Sequence, residues 1–307
     1  MSGTMQSLRR KIDGAGDLQG VVRSMKALAA SSIGQYERAV QSLDDYYRTV
    51  ELGLSVCLRQ TQAVPIAVGK RKPQEEAIGA VIFGSDQGLV GRFNEVLVEF
   101  AMRKLRSLPG KIKKIWAVGE RAQELMSDTG LTQSGVLSVP NSVNAIAPLI
   151  GRILIDIQAA REHGDVVTVY LFHNRPKSAA VYEPIGKRLL PLDQKWQDKL
   201  AVLPWPTKSI PEVIEGVAGG AAEEVTPALQ AFIREYLFVL LFQACAESLA
   251  SENASRLAAM QRAERNIKDI LEDLNRTFHR IRQEAIDEEL FDVVSGFEAL
   301  SGSGRTA

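Results

Sequence analysis

The stretch MQRAERNIKDILEDLNRTFHRIRQEAI, residues 260–286, carries an apolar residue at every third or fourth position, with charged residues between them. The apolar positions are Met260, Ala263, Ile267, Ile270, Leu274, Phe278, Ile281 and Ala285. This spacing predicts a helix with one narrow apolar face, which packs against a single partner helix. The four-residue spacing of charges predicts these ion pairs along the helix: Glu264 with Lys268, Glu272 with Arg276, and Arg280 with Glu284.

The N-terminal segment supplies the partner helix, because residues 8–54 repeat the same spacing. Its apolar positions include Leu18, Val22, Met25 and Ala29. All twelve prolines lie from Pro65 to Pro227, so long helices are expected only at the two ends of the chain. The sequence therefore predicts an antiparallel coiled coil of an N-terminal segment (1–70) with a C-terminal segment (226–300). The helical pattern covers 8–54 in the first and 227–297 in the second, so the C-terminal helix is expected to be longer by about twenty residues.

Between these helices, residues 76–195 predict an inserted α/β domain. Apolar runs predict three strands, at 77–83, 115–119 and 166–174, and helical patterns lie at 90–105, from 120 onward and at 144–163. Residues 181–192 predict a final antiparallel edge strand, and residues 193–227, with four prolines, a link back to the C-terminal helix. Strands that alternate with helices indicate a small parallel sheet of Rossmann-like type with helices on both faces.

Composition excludes several classes of function. The chain has 37 Lys and Arg against 37 Asp and Glu and no basic stripe, so nucleic acid is not an expected partner. Cys57 and Cys245 are too few for a disulfide framework, and their helical surroundings predict small core residues. The basic start lacks the apolar run of a signal peptide, and charges interrupt the apolar stretch 231–245, so no membrane span is expected.

The segment GSDQGLVGRFN, residues 84–94, is the strongest candidate for a binding loop. It lies between a predicted strand and a predicted helix, where backbone NH groups can hold phosphate. It lacks the Lys-Ser/Thr pair of a P-loop, so the sequence favours a structural turn over a nucleotide site. The residues of this turn are Gly84, Asp86, Gly88, Gly91 and Asn94, with Asp86 and Asn94 binding nearby NH groups.

The three histidines, His163, His173 and His279, are far apart and lack the spacing of a metal site. Each is interpreted as a surface or capped residue. No Ser-His-Asp or Cys-His grouping can be argued from the sequence. The residues alone therefore predict a rod of two helices with an α/β domain, and no metal, cofactor or catalytic site.

Motifs at both ends of the chain and after the first strand resemble the gamma subunit of the F-type ATP synthase. The motifs are SMKALAASSIGQYERA (24–39), FGSDQGLVGRFN (83–94), SENASRLAAMQRAERNIKDILEDL (251–274) and RIRQEAIDEELFDVVSGFEAL (280–300). The resemblance implies a non-catalytic rotor shaft that couples proton or sodium flow to ATP synthesis or hydrolysis. The partners it implies are three alpha and three beta subunits, epsilon and the ring of c subunits, with membrane contact only through the complex on the cytoplasmic face of the bacterial inner membrane.

The same resemblance implies a set of contacts with the alpha-beta hexamer. The implied contact residues are Met25, Lys26, Glu252, Arg256, Arg282, Gln283 and Asp287. Asp287 stands where the family usually has threonine, and residues 12–25 hold acids and glycines where the family's basic run is expected. This divergence suggests the hypothesis of an alternate, sodium-type bacterial branch. A coiled-coil structural adaptor and a nucleotide-binding α/β protein stay open as alternative functions.

Overall fold

The computed structural model describes residues 2–60, 77–127, 133–178, 181–209, 211 and 227–302. The chain divides into two compact units: unit 1 consists of Met1–Leu28 and Leu257–Ala307, and unit 2 consists of Ala29–Arg256. Segments 61–76 and 212–226, where the predicted domains join, lie outside the described residues. The predicted domain limits, 1–70, 76–195 and 226–300, therefore stay predictions.

Long helices occupy both ends of the chain, as the apolar spacing predicts. Helix α1 spans Ser2–Ser42, α2 spans Asp44–Gln60, and the C-terminal helix α7 spans Pro227–Gly302. A turn at Leu43 separates α1 from α2, whereas the spacing predicts one continuous helix through this point. The first turn of α2 holds two acidic residues, which stabilise a helix N-terminus and so favour a new start here.

Within unit 2, α2 runs antiparallel to α7. The hydroxyl of Tyr46 donates to Glu235 Oε2 at 2.6 Å. Seven residues later in the sequence, Gly53 lies so close to Phe232 that a Cβ on it would stand 2.2 Å from the phenyl Cε1. Residue numbers rise along α2 while those of the contacted residues on α7 fall. This order confirms the predicted antiparallel pairing.

Unit 1 shows which residues form the seam between α1 and α7. Leu18 and Ile270 are predicted in the seam, but they are 59% and 52% exposed, so this part of the prediction is wrong. Their less exposed neighbours Gln19 and Leu271 take these positions. The seam therefore follows a strict alternation of three and four residues, the heptad spacing of a coiled coil, even where that places a polar residue in it.

The middle of the chain forms a five-stranded sheet in the order β3-β2-β1-β4-β5. Its strands are β1 (Ala77–Phe83), β2 (Lys111–Val118), β3 (Gln133–Leu137), β4 (Thr168–Ser178) and β5 (Val181–Leu190). The remaining helices are α3 (Phe93–Arg106), α4 (Glu120–Ser127), α5 (Ile146–Glu162) and α6 (Gln194–Ala201). The first four strands pair in parallel and β5 pairs antiparallel to β4. The sequence did not predict β3, because QSGVL lacks a strong apolar run.

Helices pack against both faces of this sheet, as predicted. On one face, Ile78 and Ile82 of β1 share a core with α3 and α4. On the other face, Val81 and Phe83 share a core with α5 and α7. The strand β1 is thus buried on both faces, which explains its unbroken apolar sequence.

Helix α6 lies in the segment predicted as a link. The ring of Trp196 packs against that of Tyr236 on α7, with 4.4 Å between centroids and 33° between the ring planes. Arg59 of α2 donates from Nε to the carbonyl oxygen of Ala201 at 2.7 Å and also binds the carbonyl of Leu203. These contacts satisfy carbonyl groups at the C-terminal end of α6 that the helix itself leaves without partners.

Two helical stretches, Val143–Glu162 and Pro227–Ser295, are long and apolar enough to cross a membrane by length and composition alone. Many of their apolar side chains face the protein core, and Ile150, Ile153 and Leu241 are fully buried there. Core packing therefore accounts for much of the apolar character of both stretches.

Candidate functional site

The first feature of the candidate site is a row of serines on α7 that binds the sheet at its carboxyl end. Ser248 Oγ donates to the carbonyl oxygen of Phe83 at 2.8 Å, and Ser251 Oγ donates to that of Asn174 at 3.1 Å. Ser255 donates to the carbonyl of Val90. All three serines are buried, so each bond satisfies a hydroxyl and a carbonyl that would be costly to leave unpaired. The small apolar and serine residues of α7 just before residue 252 are the sequence feature that could have predicted how closely α7 approaches the sheet.

The turn at 84–94 is built around two polar side chains. Asn94 Oδ1 accepts from the backbone NH of Ser85 at 3.0 Å, and Asn94 Nδ2 donates to the hydroxyl of Ser85 at 2.8 Å. Asp86 Oδ1 accepts from the NH of Glu120 at 3.1 Å, and its Oδ2 accepts from the NH of Val139 at 2.9 Å. Asp86 therefore holds the start of α4 and the chain after β3 in place.

The glycines of this turn are needed for different structural reasons. A Cβ on Gly84 would lie 2.3 Å from the Cβ of Ala122, so only glycine fits between strand and helix. Gly91 has a positive φ of 60°, which side chains rarely adopt. A Cβ on Gly88 would meet nothing within 4 Å. Close packing thus explains Gly84, and backbone conformation explains Gly91.

Glu252 and Arg256 form a buried ion pair on α7 next to this turn. Arg256 Nη2 donates to Glu252 Oε1 at 2.6 Å, and the two side chains are only 14% and 7% exposed. Burial raises the pKa of Glu252, Arg256 lowers it, and the charge of Asp86 raises it further, with a net increase. Among the described residues, Glu252 Oε2 and Arg256 Nε have no hydrogen-bond partner. The pair therefore depends chiefly on a single strong bond.

A second buried cluster joins β4 to α7 through Glu247. His173 Nε2 lies 2.8 Å from Glu247 Oε2, and Arg175 Nε lies 3.2 Å from the same oxygen. Burial alone would raise the pKa of Glu247, but the hydrogen bonds and charges of His173 and Arg175 outweigh it and lower the pKa. His173 is 4% exposed, so its interpretation as a surface residue is wrong. Its strand, β4, lies between β1 and β5, and α7 packs over this residue, which the residue's own sequence context does not reveal.

In unit 1, Lys26 contacts Glu264 across the coiled coil. Lys26 Nζ and Glu264 Oε2 are 2.5 Å apart, and Arg23 Nε lies 3.5 Å from Glu264 Oε1. The hydrogen bond from Lys26 lowers the pKa of Glu264. The predicted pair of Glu264 with Lys268 is therefore wrong, because the partner helix offers a better placed cation.

The outer face of α7 differs from the prediction in one further pair. Lys268 pairs with Glu272 at 3.8 Å and Arg276 pairs with Asp273, so the predicted pair of Glu272 with Arg276 is also wrong. Arg280 pairs with Glu284 at 2.8 Å, as the spacing predicts.

The remaining contact residues implied by the resemblance lie on α1 and on the last part of α7. Met25 is half-buried on α1, whereas Arg282, Gln283 and Asp287 are exposed. They share this part of α7 with large exposed apolar side chains, namely Ile286, Leu290, Phe291, Val293 and Val294, which are between 48% and 72% exposed. A helix surface of this kind, which the described part of the chain leaves exposed, has the character of a contact surface for other proteins.

The described residues contain no group of three or more His, Cys, Asp or Glu side chains that could hold a metal ion. Cys57 and Cys245 are buried thiols within helices, as predicted for small core residues. A cavity of about 720 Å³ lies between α5, the end of β5 and the start of α7. The charged residues among its described lining are Arg161, Glu162 and Arg234, and no serine, cysteine or histidine is among the described lining residues.

Comparison with known proteins adds the family context. A family model described as ATP synthase matches residues 4–300. Curated relatives include the ATP synthase gamma chain of Dechloromonas aromatica, which is 27% identical over 96% of this chain and 99% of the relative. The ATP synthase gamma chain of Cupriavidus pinatubonensis is 26% identical over 98% of this chain and 100% of the relative. Solved structures with this fold include a chain of the Euglena gracilis mitochondrial ATP synthase, at TM-score 0.64, 16% identity and coverage of 100% and 98%. A chain from the central stalk and c-ring of the Tetrahymena thermophila enzyme matches at TM-score 0.53, 21% identity and coverage of 79% and 99%.

Proposed function

The chain belongs to the ATP synthase gamma-chain family, and on this basis we propose that it is the central rotor shaft of an F-type ATP synthase. The observation that carries the proposal is the family match over residues 4–300, which includes both helices of the coiled coil and the whole sheet domain. The shaft couples ion flow through the membrane sector to ATP synthesis or hydrolysis in the alpha-beta hexamer.

The proposed partners are three alpha subunits, three beta subunits, the epsilon subunit and the c-ring. The solved chains with the same fold come from assemblies described as OSCP/F1/c-ring, rotor and central stalk/c-ring. The exposed apolar side chains of α7 around Leu290 and Phe291 supply a surface for the hexamer. Through these partners the chain is peripheral on the cytoplasmic face of the bacterial inner membrane.

In this proposal the chain itself performs no chemical step. An asymmetric shaft presents a different face to each of three beta subunits, so its angle favours a different conformation, and a different nucleotide affinity, in each of them. Such coupling is reciprocal, so hydrolysis turns the shaft and forced rotation releases ATP. The chain's own task is to hold its shape while it turns.

In this proposal, some of the predicted contact residues touch the hexamer directly and others support the contact indirectly. Arg282, Gln283 and Asp287 are exposed, so they touch the hexamer directly. Met25 and Lys26 reach it from the partly exposed side of α1. Glu252 and Arg256 already neutralise each other on α7 inside unit 2, so in this proposal they support the contact indirectly, as a paired part of the shaft helix.

Co-purification of the tagged full-length chain with its native complex tests this function. We expect alpha and beta subunits in a three-to-three ratio for each copy of the chain, and ATP-driven ion pumping that disappears when the chain is omitted. A complex that pumps equally well without the chain would overturn the proposal.

Substitution of the exposed contact residues gives a finer test. Arg282→Ala combined with Gln283→Ala should reduce pumping per ATP hydrolysed while assembly persists. Arg106→Ala, which removes an exposed cation from α3, serves as the control and should leave pumping unchanged. Equal pumping in all three proteins would remove these residues from the contact.

The two alternatives make different predictions. A structural adaptor would keep full coupling after truncation behind Leu290, whereas a rotor loses coupling because it loses the exposed end of α7. A nucleotide-binding protein would bind ATP as an isolated chain. The turn at 84–94 argues against that reading, since the NH of Ser85 is already bound by Asn94.

A further inference from the structure

We propose that the ion pair between Lys26 and Glu264 sets the register of the coiled coil in unit 1. Both residues occupy seam positions that are otherwise apolar apart from Gln19, and they meet across the two helices at 2.5 Å. Lys26 and Glu264 are therefore positioning residues of the shaft.

The pattern of exposure defines the seam. Within unit 1, the less exposed residues of α1 that alternate by three and four are Met5, Leu8, Ile12, Ala15, Gln19, Val22 and Lys26. On α7 the corresponding residues are Met260, Glu264, Ile267, Leu271, Leu274, Phe278, Ile281 and Ala285. A polar residue at a seam position of a coiled coil specifies register at some cost in stability.

The geometry identifies which charges meet in the seam. The side chains of Lys26 and Glu264 are 34% and 25% exposed, so both are partly withdrawn from solvent. Arg23 is 62% exposed and lies 3.5 Å from the other carboxylate oxygen, so it assists from the edge of the seam. A shorter and less solvated bond depends more strongly on alignment than an exposed pair does.

Alternative registers separate this pair. A slip of one heptad moves one helix by about 10 Å along the other. Because the helices are antiparallel, Lys26 would then face Leu257 or Leu271 in place of Glu264. Either slip leaves a partly buried cation against an apolar residue, which is unfavourable.

Two seam residues of α1 near this pair add little steric specificity. Ala15 is small, and Gln19 offers no shape that a slip would obstruct. The charge pair therefore adds a distinction between registers that these two residues do not supply.

The consequence for coupling rests on the proposed rotor function. The register determines how far the end of α7 extends beyond the start of α1, and hence where Arg282, Gln283 and Asp287 lie in the hexamer. A slip of one heptad would displace these contact residues by about 10 Å.

Spin-label distance measurements on the full-length chain test the register. Labels at Asp13→Cys and Asn275→Cys, both exposed, report the alignment of α1 with α7. We expect one narrow distance distribution in the wild-type sequence and in the charge-swapped variant Lys26→Glu with Glu264→Lys. Lys26→Leu with Glu264→Leu should add a second population, shifted along the helix axis by about 10 Å.

A matched control removes an equivalent pair from the outer face. Lys268→Leu with Glu272→Leu deletes a pair whose side chains are 71% and 60% exposed, and it should keep the single narrow distribution. Helix content measured by circular dichroism identifies any variant that fails to fold, and the charge-swapped variant then decides the question alone. A single narrow distribution in the Lys26→Leu, Glu264→Leu variant, or two populations in the charge-swapped one, would overturn the proposal.

The assembled complex separates this proposal from the rotor function. With both correct, a variant whose distance measurements show the second register also loses ion pumping per ATP hydrolysed. A second distance population with undiminished pumping would support the register assignment and contradict the rotor function.

Discussion

Removal of Arg256 should destabilise unit 2 in a way that depends on pH. In the native protein, this guanidinium binds Glu252 Oε1 at 2.6 Å, and the glutamate side chain is only 7% exposed. Arg256→Met keeps the apolar part of the side chain but leaves the carboxylate buried without its cation. Breaking a buried pair from one side costs about 3–5 kcal/mol in comparable cases.

The glutamate can limit this cost by taking up a proton. Protonating a carboxyl group with an ordinary pKa of 4.5 costs about 1.4 kcal/mol for each pH unit above that pKa. The loss of unfolding free energy caused by Arg256→Met therefore cannot exceed about 3.4 kcal/mol at pH 7 or about 2 kcal/mol at pH 6. Burial already raises the pKa of Glu252 in the folded state, and loss of Arg256 raises it further. A folded state with the higher pKa gains stability as pH falls, so the loss should shrink from pH 7 to pH 6.

Urea unfolding of the full-length chain, followed by fluorescence of the buried Trp116 in the sheet, measures this loss at pH 6 and pH 7. Arg280→Met is the matched control, since its partner Glu284 lies at a similar distance of 2.8 Å but both side chains are more than half exposed. At pH 7 we expect the unfolding free energy to fall by about 3 kcal/mol in Arg256→Met and by less than about 0.5 kcal/mol in the control. The double variant Arg256→Met with Glu252→Gln should recover most of the loss. Equal effects of Arg256→Met and the control would refute the reasoning.

Other substitutions test the turn, the helices and the second buried cluster. Asp86→Ala removes two charge-assisted hydrogen bonds and should lower unfolding free energy by about 2 kcal/mol, with a smaller loss for Asp86→Asn; equal losses would contradict this. Gly14→Ala should stabilise the chain by about 0.5–1 kcal/mol in urea unfolding, because the added Cβ meets nothing, and a loss of stability would contradict the open space. Gly53→Ala should destabilise by about 1–3 kcal/mol, because its Cβ would overlap the ring of Phe232. The pKa of Glu247 is lower in the folded state than its ordinary value of 4.5, so the ionised carboxylate stabilises the fold at pH values above 4.5. This contribution is lost as the pH falls through the folded-state pKa. Glu247→Gln should therefore make the unfolding free energy depend less on pH in the acid range.

The fold was largely predictable because its strongest signals are periodic. The alternation of three and four residues specified two helices and their pairing, and the short apolar run at Ala77–Phe83 specified the central strand. The prediction failed where local signals were weak: β3 is short and polar, and α6 lies in a proline-containing segment. Both elements depend on contacts with distant residues, such as the packing of Trp196 against Tyr236.

The candidate contact residues stay predictions, and the sequence alone did not predict which side chains they meet. Resemblance to the gamma subunit singled out Lys26, Glu252 and Arg256, yet sequence spacing paired Glu264 with Lys268 on its own helix. In the structure Glu264 contacts Lys26, which is 238 residues away in the sequence. Only the folded arrangement brings such residues within reach of each other.

The sequence by itself determined the helical pairing, the sheet domain inserted between the helices and the family, because each follows from local spacing or motif order. Tertiary structure alone decided which charges meet, that His173 is buried against Glu247, and that Glu252 and Arg256 neutralise each other. The physical reason is that periodicity fixes which side of a helix faces a partner, whereas an ion pair depends on distances between atoms from separate parts of the chain.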